Sequence, residues 1–331
     1  MKVALVGAGR IGRMHAGLLR DRPEVSELLV ADAEPERART VAAEVDGTFV
    51  ASVDEAVGRA EALAIAASTG AHAGLIRAGA DRGIPVFCEK PLAMTLEESR
   101  DVVEHVERAG IQLQLGFQRR FDAGYRAARA LIEQGALGRV YIVRLASHDS
   151  VLPDEAFIPT SGGPFIDMSI HDLDAARFLT GAEIEEVYAD GSVRGFEMFA
   201  RHGDYDTTVA TLRLSDGTLG VLTMGRHDPL GYDVRAEIFG SQDSIAVGLG
   251  PRTPMRSVEP DVPPPAGPAW PHFPGRFEDA YRAEIAEFMR VIRGEIASPC
   301  TGRDGLEALR AALAATRSLR EHRPVRVAEV V

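Results

Sequence analysis

The sequence predicts an α/β domain with a doubly wound parallel sheet, followed by an α+β domain with a large, mostly antiparallel open sheet. Three observations support this prediction. A glycine-rich turn follows the first apolar run, strand-like runs then alternate with helical patterns, and longer stretches arranged as hairpins replace that alternation after residue 120. Because 331 residues exceed one ordinary hydrophobic core, we expect two domains, 1–120 and 121–331.

The composition is that of an ordinary globular protein, with 45% hydrophobic and 26% charged residues. A net charge of -12 and the absence of a basic run argue against a nucleic-acid partner. Cys88 and Cys300 provide no disulfide framework and fit a reducing compartment. The first apolar run is too short for a signal peptide, and no stretch reaches the roughly 20 apolar residues of a membrane span. We therefore expect a cytoplasmic protein without a membrane partner.

The strand predicted over Lys2–Val6 breaks directly into a G-x-G-x-x-G turn, and the helical pattern Met14–Arg20 follows. This context indicates a dinucleotide-binding Rossmann domain. In such a turn the first glycine permits the tight bend, the second lets a pyrophosphate approach the backbone, and the third lets helix and strand pack closely. The helix N-terminus offers unpaired N–H groups to the phosphates. The predicted cofactor contacts here are Gly7, Gly9, Arg10, Ile11 and Gly12.

An acidic residue follows the second predicted strand, Glu27–Ala31. Asp32 lies 20 residues beyond Gly12, the offset at which a carboxylate accepts hydrogen bonds from the adenosine ribose. Its charge also repels a 2′-phosphate, which favours NAD over NADP. Arg37 and Arg39 follow closely and leave the strictness of that preference open.

Polar residues follow the next strands of the predicted parallel sheet, which we place at Ala62–Ala67, Pro85–Cys88 and Ile111–Phe117. Ligands of such sheets bind beyond the carboxyl ends of the strands. His72 opens a helix there, where a cofactor contact and a packing role are equally compatible with its position. The further predicted cofactor contacts are Ser68, Thr69, His72, Glu89 and Lys90.

Lys90 differs from an ordinary surface lysine in its setting. It follows a strand and precedes Pro91, which biases its backbone to an extended conformation. Its side chain is therefore expected to project from the strand end toward the ligand. Cys88, two residues earlier, fits a small buried residue.

The second domain contains two predicted hairpins. Thr207–Leu214 and Thr218–Arg226 flank the turn Ser215-Asp216-Gly217, and Tyr232–Phe239 is followed by Ser244–Val247. Further strands are predicted over Arg139–His148 and Glu185–Val193. Together they predict an open sheet with a helix, Met168–Leu179, on one face. We expect a partner subunit to cover the other face, giving a homo-oligomer.

The last part of the chain contains a proline-dense segment, 259–275, which predicts an ordered or semi-rigid loop. Trp270, His272 and Phe273 lie in this loop and could close over a ligand, although a packed surface loop explains them as well. Two amphipathic helices, Arg276–Arg293 and Arg303–His322, are predicted to complete the chain.

Asp167 and His171 are four residues apart in a helical pattern. On a continuous helix this spacing stacks both side chains on one face, about one turn apart. A carboxylate beside an imidazole can move a proton near neutral pH, although a capped helix with a polar side has the same pattern. A metal-assisted lyase or hydrolase using Asp167, His171, Asp172 and His148 is a further alternative. We predict no metal, because a metal would leave the dinucleotide signature unexplained.

Several segments together resemble the Gfo/Idh/MocA family of oxidoreductases, and within it the bacterial inositol 2-dehydrogenases. The resemblance covers nearly the whole chain and lies in GAGRIG, STGAH, FCEKPLA, GFQRRFDAGY, SGGPFIDMSIHDLDAARFL, GYDVRAEIFG and RFEDAYRAEIAEFM. It implies a Rossmann domain and an α+β domain whose large sheet usually forms a tetramer. It also implies NAD-dependent oxidation of a secondary alcohol of a cyclic polyol.

The resemblance further implies a catalytic set of Lys90, Asp167 and His171. His171 would be the base on the hydroxyl, Asp167 would orient it, and Lys90 would stabilise the developing alkoxide. Asp172 and Asp174 are then helix-surface or substrate-positioning candidates. The residues that match substrate-lining positions, with ion pairs or sheet-edge polar groups as the alternative, are Arg119, Arg120, His148, Asp149 and Tyr232.

Two segments depart from the inositol dehydrogenase pattern, 148–152 and 275–277. They leave the identity of the polyol open, so another sugar or sugar derivative is an alternative substrate. A non-catalytic NAD-binding sensor on the same fold is a second alternative. The presence of all three catalytic candidates favours the enzyme.

Overall fold

The structure is a computed structural model that describes residues Met1–Val331. The chain forms two compact units. The first comprises Met1–Phe121 and Asp279–Glu307, and the second comprises Asp122–Glu278 and Ala308–Val331. No helix is both long enough and apolar enough to span a membrane.

A six-stranded sheet in the order β3-β2-β1-β4-β5-β6 forms the centre of the first unit, and every strand pair in it is parallel. Nearly all residues of the inner strands are buried, as expected of a sheet covered on both faces. This is the predicted doubly wound sheet, and its strands are β1 (Lys2–Val6), β2 (Glu27–Ala31), β3 (Thr48–Phe49), β4 (Ala62–Ile65), β5 (Val86–Glu89) and β6 (Leu113–Gly116).

Five helices connect these strands. Ser52 and Thr95 cap the third and fifth helices by accepting a hydrogen bond from the backbone N–H three residues on. Gly110, at φ +69°, ends the fifth helix in the left-handed conformation that glycine adopts without strain. The helices are α1 (Arg10–Arg20), α2 (Pro35–Glu44), α3 (Val53–Arg59), α4 (Thr69–Asp81) and α5 (Leu96–Ala109).

A seven-stranded sheet in the order β12-β11-β7-β10-β9-β8-β13 forms the second unit. Only the pair of β7 and β10 is parallel, so the mostly antiparallel sheet is confirmed. The strands are β7 (Val140–His148), β8 (Ile184–Ser192), β9 (Thr207–Leu214), β10 (Leu219–Gly225), β11 (Asp233–Gly240), β12 (Ser244–Val247) and β13 (Val325–Arg326).

Both predicted hairpins are present. Gly217, at φ +88°, lies in the turn between β9 and β10, and Gly240 donates to the Asp243 carbonyl between β11 and β12. Buried and exposed residues alternate along β9 and β10, so this sheet has one packed face and one exposed face. Large apolar side chains remain on the exposed face, among them Tyr188, Val209 and Val221. The strand register pairs both Tyr188 and Val221 with Thr211 of β9, and Val209 lies two residues before Thr211 on the same face.

Two helices of the second unit, Ala123–Glu133 and Ile170–Thr180, contact strands β12 and β7 of this sheet. The helix expected over Met168–Leu179 is present but begins at Ile170, and Met168 and Ser169 separate it from a short helix that ends at Asp167. The amide of Ser169 donates to the Pro164 carbonyl five residues back, which breaks the helical hydrogen-bond series. The helices are α6 (Ala123–Glu133), α7 (Pro164–Asp167), α8 (Ile170–Thr180), α9 (Glu197–Arg201) and α10 (Phe273–Arg276).

Two helices near the end of the chain, α11 (Glu278–Ile292) and α12 (Gly302–Glu321), correspond to the predicted amphipathic pair. The segment Asp279–Glu307 belongs to the first compact unit, although the sequence analysis expected it in the second domain. Phe288 of α11 packs against Phe87 of β5 at 5.8 Å between ring centroids. A helix distant in sequence therefore completes the core around the parallel sheet.

Candidate active site

The glycine turn of the first unit has the geometry of a phosphate-binding loop. Gly7 adopts φ +103°, and a Cβ on it would lie 2.4 Å from the backbone of Ala66. A Cβ on Gly12 would lie 1.9 Å from the Gly7 carbonyl oxygen. A Cβ on Gly9 would meet no atom within 4 Å, so the space beside this glycine is open. Two glycines thus permit close packing and the third leaves a surface for a ligand at the start of α1.

Asp32 is held beside this loop by the backbone. Its Oδ2 accepts a hydrogen bond from the Ala8 amide at 2.6 Å, and its Oδ1 accepts one from the Glu34 amide at 2.8 Å. Arg37 pairs with Glu34 at 2.8 Å and lies 4.0 Å from Asp32. Arg39 stacks on Phe49, 4.2 Å from the ring centroid. Both arginines that could receive a 2′-phosphate are therefore engaged by neighbouring side chains.

The residues predicted at the end of β4 have different environments. Ser68 and Thr69 lie at the N-terminus of α4. His72 is buried, and its two ring nitrogens lie 2.8 Å from the Pro91 carbonyl oxygen and 3.1 Å from that of Ala67. Burial lowers the pKa of His72. These contacts support the packing role that the sequence left open.

Glu89 and Lys90 follow one another at the end of β5. The Lys90 amide donates to Glu89 Oε2 at 3.2 Å, and the Lys90–Pro91 peptide bond is cis. Glu89 Oε1 lies 2.7 Å from Nε2 of His15, which projects from α1. Burial raises the pKa of the neighbouring Cys88 thiol well above its usual range, as expected of an inert packed cysteine.

In the second unit, Asp167 forms an ion pair that the sequence analysis missed. Its Oδ2 accepts a hydrogen bond of 2.5 Å from Nη1 of Arg226, the residue directly after β10. Arg226 is only 2% exposed, and its Nη2 lies 3.8 Å from Asp204 Oδ2. Burial raises the pKa of Asp204. One buried cation therefore lies beside two carboxylates, and Asp167 reaches the site from the end of α7.

His171 lies in the first turn of α8, after the break that separates it from Asp167. Its Nδ1 is buried and its amide donates to the Met168 carbonyl at 3.2 Å. The simple one-turn stacking expected of a continuous helix is thus corrected. Asp172 and Asp174 are each 1% exposed, so they are not helix-surface residues. Asp172 accepts a hydrogen bond from the Ser147 hydroxyl at 2.9 Å and ties α8 to β7.

His148 ends β7, where the strand register places it beside Gly225 of β10 and Asp233 of β11. Its Nδ1 lies 4.0 Å from Asp228 Oδ2 and 4.0 Å from Asp233 Oδ2. The Asp149 amide donates to the Gly225 carbonyl at 2.9 Å. The acidic groups gathered around His148 are therefore Asp228 and Asp233. The set considered for a metal-assisted reaction does not gather in this way.

The other residues predicted to contact the substrate have different environments. Tyr232 directly precedes β11, donates its amide to the Trp270 carbonyl at 2.7 Å and packs on the ring of Phe277. Arg119 is 3% exposed within the short helix after β6. Arg120 is buried and donates to Asp304 Oδ1 at 2.9 Å within the first unit. This contact fits the ion-pair alternative that the sequence left open for Arg120.

Comparisons with known proteins identify the family of this chain. Residues 1–117 match a family model described as an oxidoreductase family with an NAD-binding Rossmann fold, and residues 125–246 match the GFO/IDH/MocA C-terminal domain. A myo-inositol dehydrogenase from Streptomyces leeuwenhoekii, Hyg17, is 44% identical over 325 residues, covering 96% of this chain and 97% of the relative. The chain belongs to the GFO/IDH/MocA oxidoreductase family.

Two further family members bear on the site. The myo-inositol 2-dehydrogenase of Thermotoga maritima is 34% identical, and the similarity covers 100% of both chains. The crystal structure of a scyllo-inositol dehydrogenase from Lactobacillus casei, with bound NAD(H) and scyllo-inositol, has a TM-score of 0.88 and 29% identity over 99% of both chains. The fold is therefore shared with inositol dehydrogenases along the whole chain.

Within this family member, the groups missed from sequence are Arg226, Asp204, Asp228 and Asp233. Arg226 had a usable signal, because it ends a predicted strand in the same way that Lys90 follows one. Asp204 lies outside the strands and had no comparable signal. Its place beside Arg226 depends on the packing of the second unit.

Proposed function

We propose that this chain is an NAD-dependent inositol dehydrogenase that oxidises a ring hydroxyl of myo-inositol to the ketone. One observation carries the proposal. A dinucleotide loop, with Asp32 held beside it by backbone amides, occurs in a chain that is similar to a myo-inositol dehydrogenase over 96% of this chain's length. NAD, when bound, supplies the acceptor for the hydrogen that leaves the carbon with its electron pair.

The loop around Gly9 is the part of the chain that fits the cofactor. The open space at Gly9 accommodates a pyrophosphate, and α1 directs its N-terminus there. Asp32, held by two backbone amides, offers its remaining acceptor positions to the ribose hydroxyls. The engagement of Arg37 and Arg39 by neighbouring side chains supports NAD rather than NADP.

We assign the acid–base step to three side chains. His171 accepts the hydroxyl proton at Nε2, because its Nδ1 is buried. Asp167 provides a fixed negative charge for the protonated imidazole, and Arg226 holds that carboxylate. The Lys90 ammonium stabilises negative charge on the substrate oxygen as its proton leaves. Polar groups at the ends of β7 and β11, His148 and Tyr232 among them, contribute to binding the other hydroxyls.

A substrate panel tests this proposal. Purified protein is assayed for nicotinamide reduction with myo-inositol, scyllo-inositol and several pyranoses, each with NAD and with NADP. We expect turnover with NAD and myo-inositol. Turnover confined to scyllo-inositol or a pyranose would replace the substrate, and NAD binding without turnover on any compound would support the non-catalytic sensor instead.

We also propose that copies of this chain associate through the exposed face of the seven-stranded sheet to form a homotetramer. The exposed apolar side chains Tyr188, Val209 and Val221 lie on three neighbouring strands of this face and support the proposal, since association would cover them. Cys88 and Cys300 are both free and buried. The cytoplasmic location expected from their number stays a prediction.

A further inference from the structure

A buried group of titratable side chains in the first unit has no part in the reaction described above. Glu284 of α11 is fully buried, and neither of its carboxyl oxygens has a hydrogen-bond partner. It lies in a cluster with Glu89 and His15, in which each residue places one side-chain oxygen or nitrogen within 4.8 Å of the other two. An ionised carboxylate in this position would be strongly destabilising, so the cluster requires a different distribution of protons.

The hydrogen bonding of His15 indicates where a proton is needed. Its Nε2 lies 2.7 Å from Glu89 Oε1, and its Nδ1 is buried without a partner. If Nε2 donates to the Glu89 carboxylate, a neutral imidazole has only an acceptor at Nδ1. His15 Nδ1 therefore needs a hydrogen-bond donor, and a protonated Glu284 carboxyl can supply one.

The surroundings of Glu284 favour its protonated form. Burial, and then the charge of Glu89, raises the pKa of Glu284 well above its usual range. Gln114 is a neutral neighbour, and its Nε2 donates a hydrogen bond of 2.9 Å to the backbone carbonyl oxygen of Glu284. The titratable groups that face Glu284 within the cluster are His15 of α1 and Glu89 of β5. Lys90 follows Glu89, and the ring of Tyr281 of α11 lies 6.0 Å from that of His15.

We propose that Glu284, His15 and Glu89 form an acid–imidazole–carboxylate relay that holds one proton and positions Lys90 through the Glu89 carboxylate. Glu89 is the link, because its Oε2 accepts from the Lys90 amide while its Oε1 faces His15. Gly116 packs directly on it, since a Cβ there would lie 3.1 Å from Glu89 Cδ. The relay members are positioning residues, and the role given to them rests on the assignment of Lys90 under Proposed function.

Infrared spectroscopy of the full chain tests the proton directly. We expect a carbonyl stretching band of a protonated carboxyl at neutral pH in the wild type. The band should be absent in Glu284→Gln and retained in Asp279→Asn, a control that removes an exposed carboxylate from the same helix. Identical spectra for wild type and Glu284→Gln in this region would overturn the relay. A stoichiometric metal ion in the wild type that Glu284→Gln loses would overturn it as well.

The pH dependence of stability provides a second test. Because the folded state binds a proton that the unfolded state releases, the contribution of Glu284 is fully present below the ordinary carboxyl pKa. It is lost as pH rises toward the folded-state pKa. Glu284→Gln should therefore gain stability relative to the wild type between about pH 5 and pH 8 in denaturant titrations. A difference that does not change with pH would contradict a shared proton.

Kinetics separate positioning from a purely structural role. Glu284→Leu cannot donate to His15, so we expect kcat to fall about tenfold with an unchanged KM for NAD. Glu284→Gln keeps a donor and should restore most of kcat. Equal kcat values in wild type and Glu284→Leu would overturn the positioning role. If the wild type oxidises no polyol, the proposed function fails, while the infrared and stability results still decide whether the relay exists.

Discussion

Arg226 is the residue that gives Asp167 a defined position and charge. Its guanidinium is almost fully buried, it bonds Asp167, and it lies beside Asp204. Removing one partner of a buried ion pair costs more than the pair contributes, because the remaining charges stay buried. The arrangement links the end of strand β10 to Asp167 at the end of α7 through a single side chain.

Replacement of Arg226 by Met should lower the free energy of unfolding by about 3–5 kcal/mol and kcat/KM by about 10–100-fold. Arg226→Lys keeps the charge but not the planar fork, so an intermediate loss is expected. Denaturant titration and steady-state kinetics measure the two effects. Arg177→Met is the control, since it removes another buried arginine that bonds Glu183. An equal loss of kcat/KM in this control would assign the effect to stability alone.

Asp32 is the second single residue with a testable role, since we propose that it sets the cofactor preference. Asp32→Ser removes the proposed acceptor for the ribose hydroxyls and the charge that would repel a 2′-phosphate. We expect the ratio of kcat/KM for NAD to that for NADP to fall at least about tenfold. Glu36→Gln removes a nearby exposed carboxylate and is the matched control. An unchanged ratio in Asp32→Ser would show that this carboxylate does not contact the ribose.

At the scale of elements, the turn between β1 and α1 contains glycines with two separate roles. Gly7→Ala places a Cβ against the Ala66 backbone at a positive φ, which should destabilise the chain by about 2–4 kcal/mol. Gly9→Ala has room for its Cβ, so its melting temperature should stay close to that of the wild type. Its affinity for NAD should fall about tenfold or more, because the methyl group occupies the phosphate position. Unchanged NAD affinity in Gly9→Ala, measured by calorimetry, would contradict this placement of the cofactor.

Most elements could be predicted from the sequence because their signals are local. The strand bounds of β1, β2, β9 and β12 coincide with the apolar runs, and the glycine turns identify both the dinucleotide loop and the β9–β10 hairpin. The break between α7 and α8 could not be predicted in this way. The residues on either side of this break make polar contacts with distant parts of the chain. Asp167 bonds Arg226, 59 residues later, and Asp172 bonds Ser147, 25 residues earlier.

The same distinction applies to the candidate site. Lys90, Asp167 and His171 follow from motifs, since each lies in a short segment with a characteristic pattern. Arg120 could not be assigned, because its partner Asp304 is 184 residues away and belongs to a segment expected in the other domain. Long-range packing therefore decides which polar residues remain available to a ligand.

At the scale of the whole molecule, the exposed face of the seven-stranded sheet bears on assembly. Val221→Glu introduces a charge among the exposed apolar side chains of this face and should convert the proposed tetramer to smaller species in sedimentation experiments. Val258→Glu changes an apolar residue that is 96% exposed directly before the proline-dense segment and is the control. A wild-type chain that sediments as a monomer, or a tetramer that Val221→Glu leaves intact, would contradict association through this face.

The most direct test of the proposed reaction follows the hydrogen that leaves the substrate. Wild-type protein is given NAD and myo-inositol that carries deuterium at the carbon to be oxidised, and the reduced cofactor is analysed by mass spectrometry. Direct transfer predicts one deuterium in the nicotinamide ring for each ketone formed, together with loss of turnover in Lys90→Met and His171→Ala. Ketone formation without deuterium in the cofactor, or no ketone despite bound NAD, would contradict the proposed function.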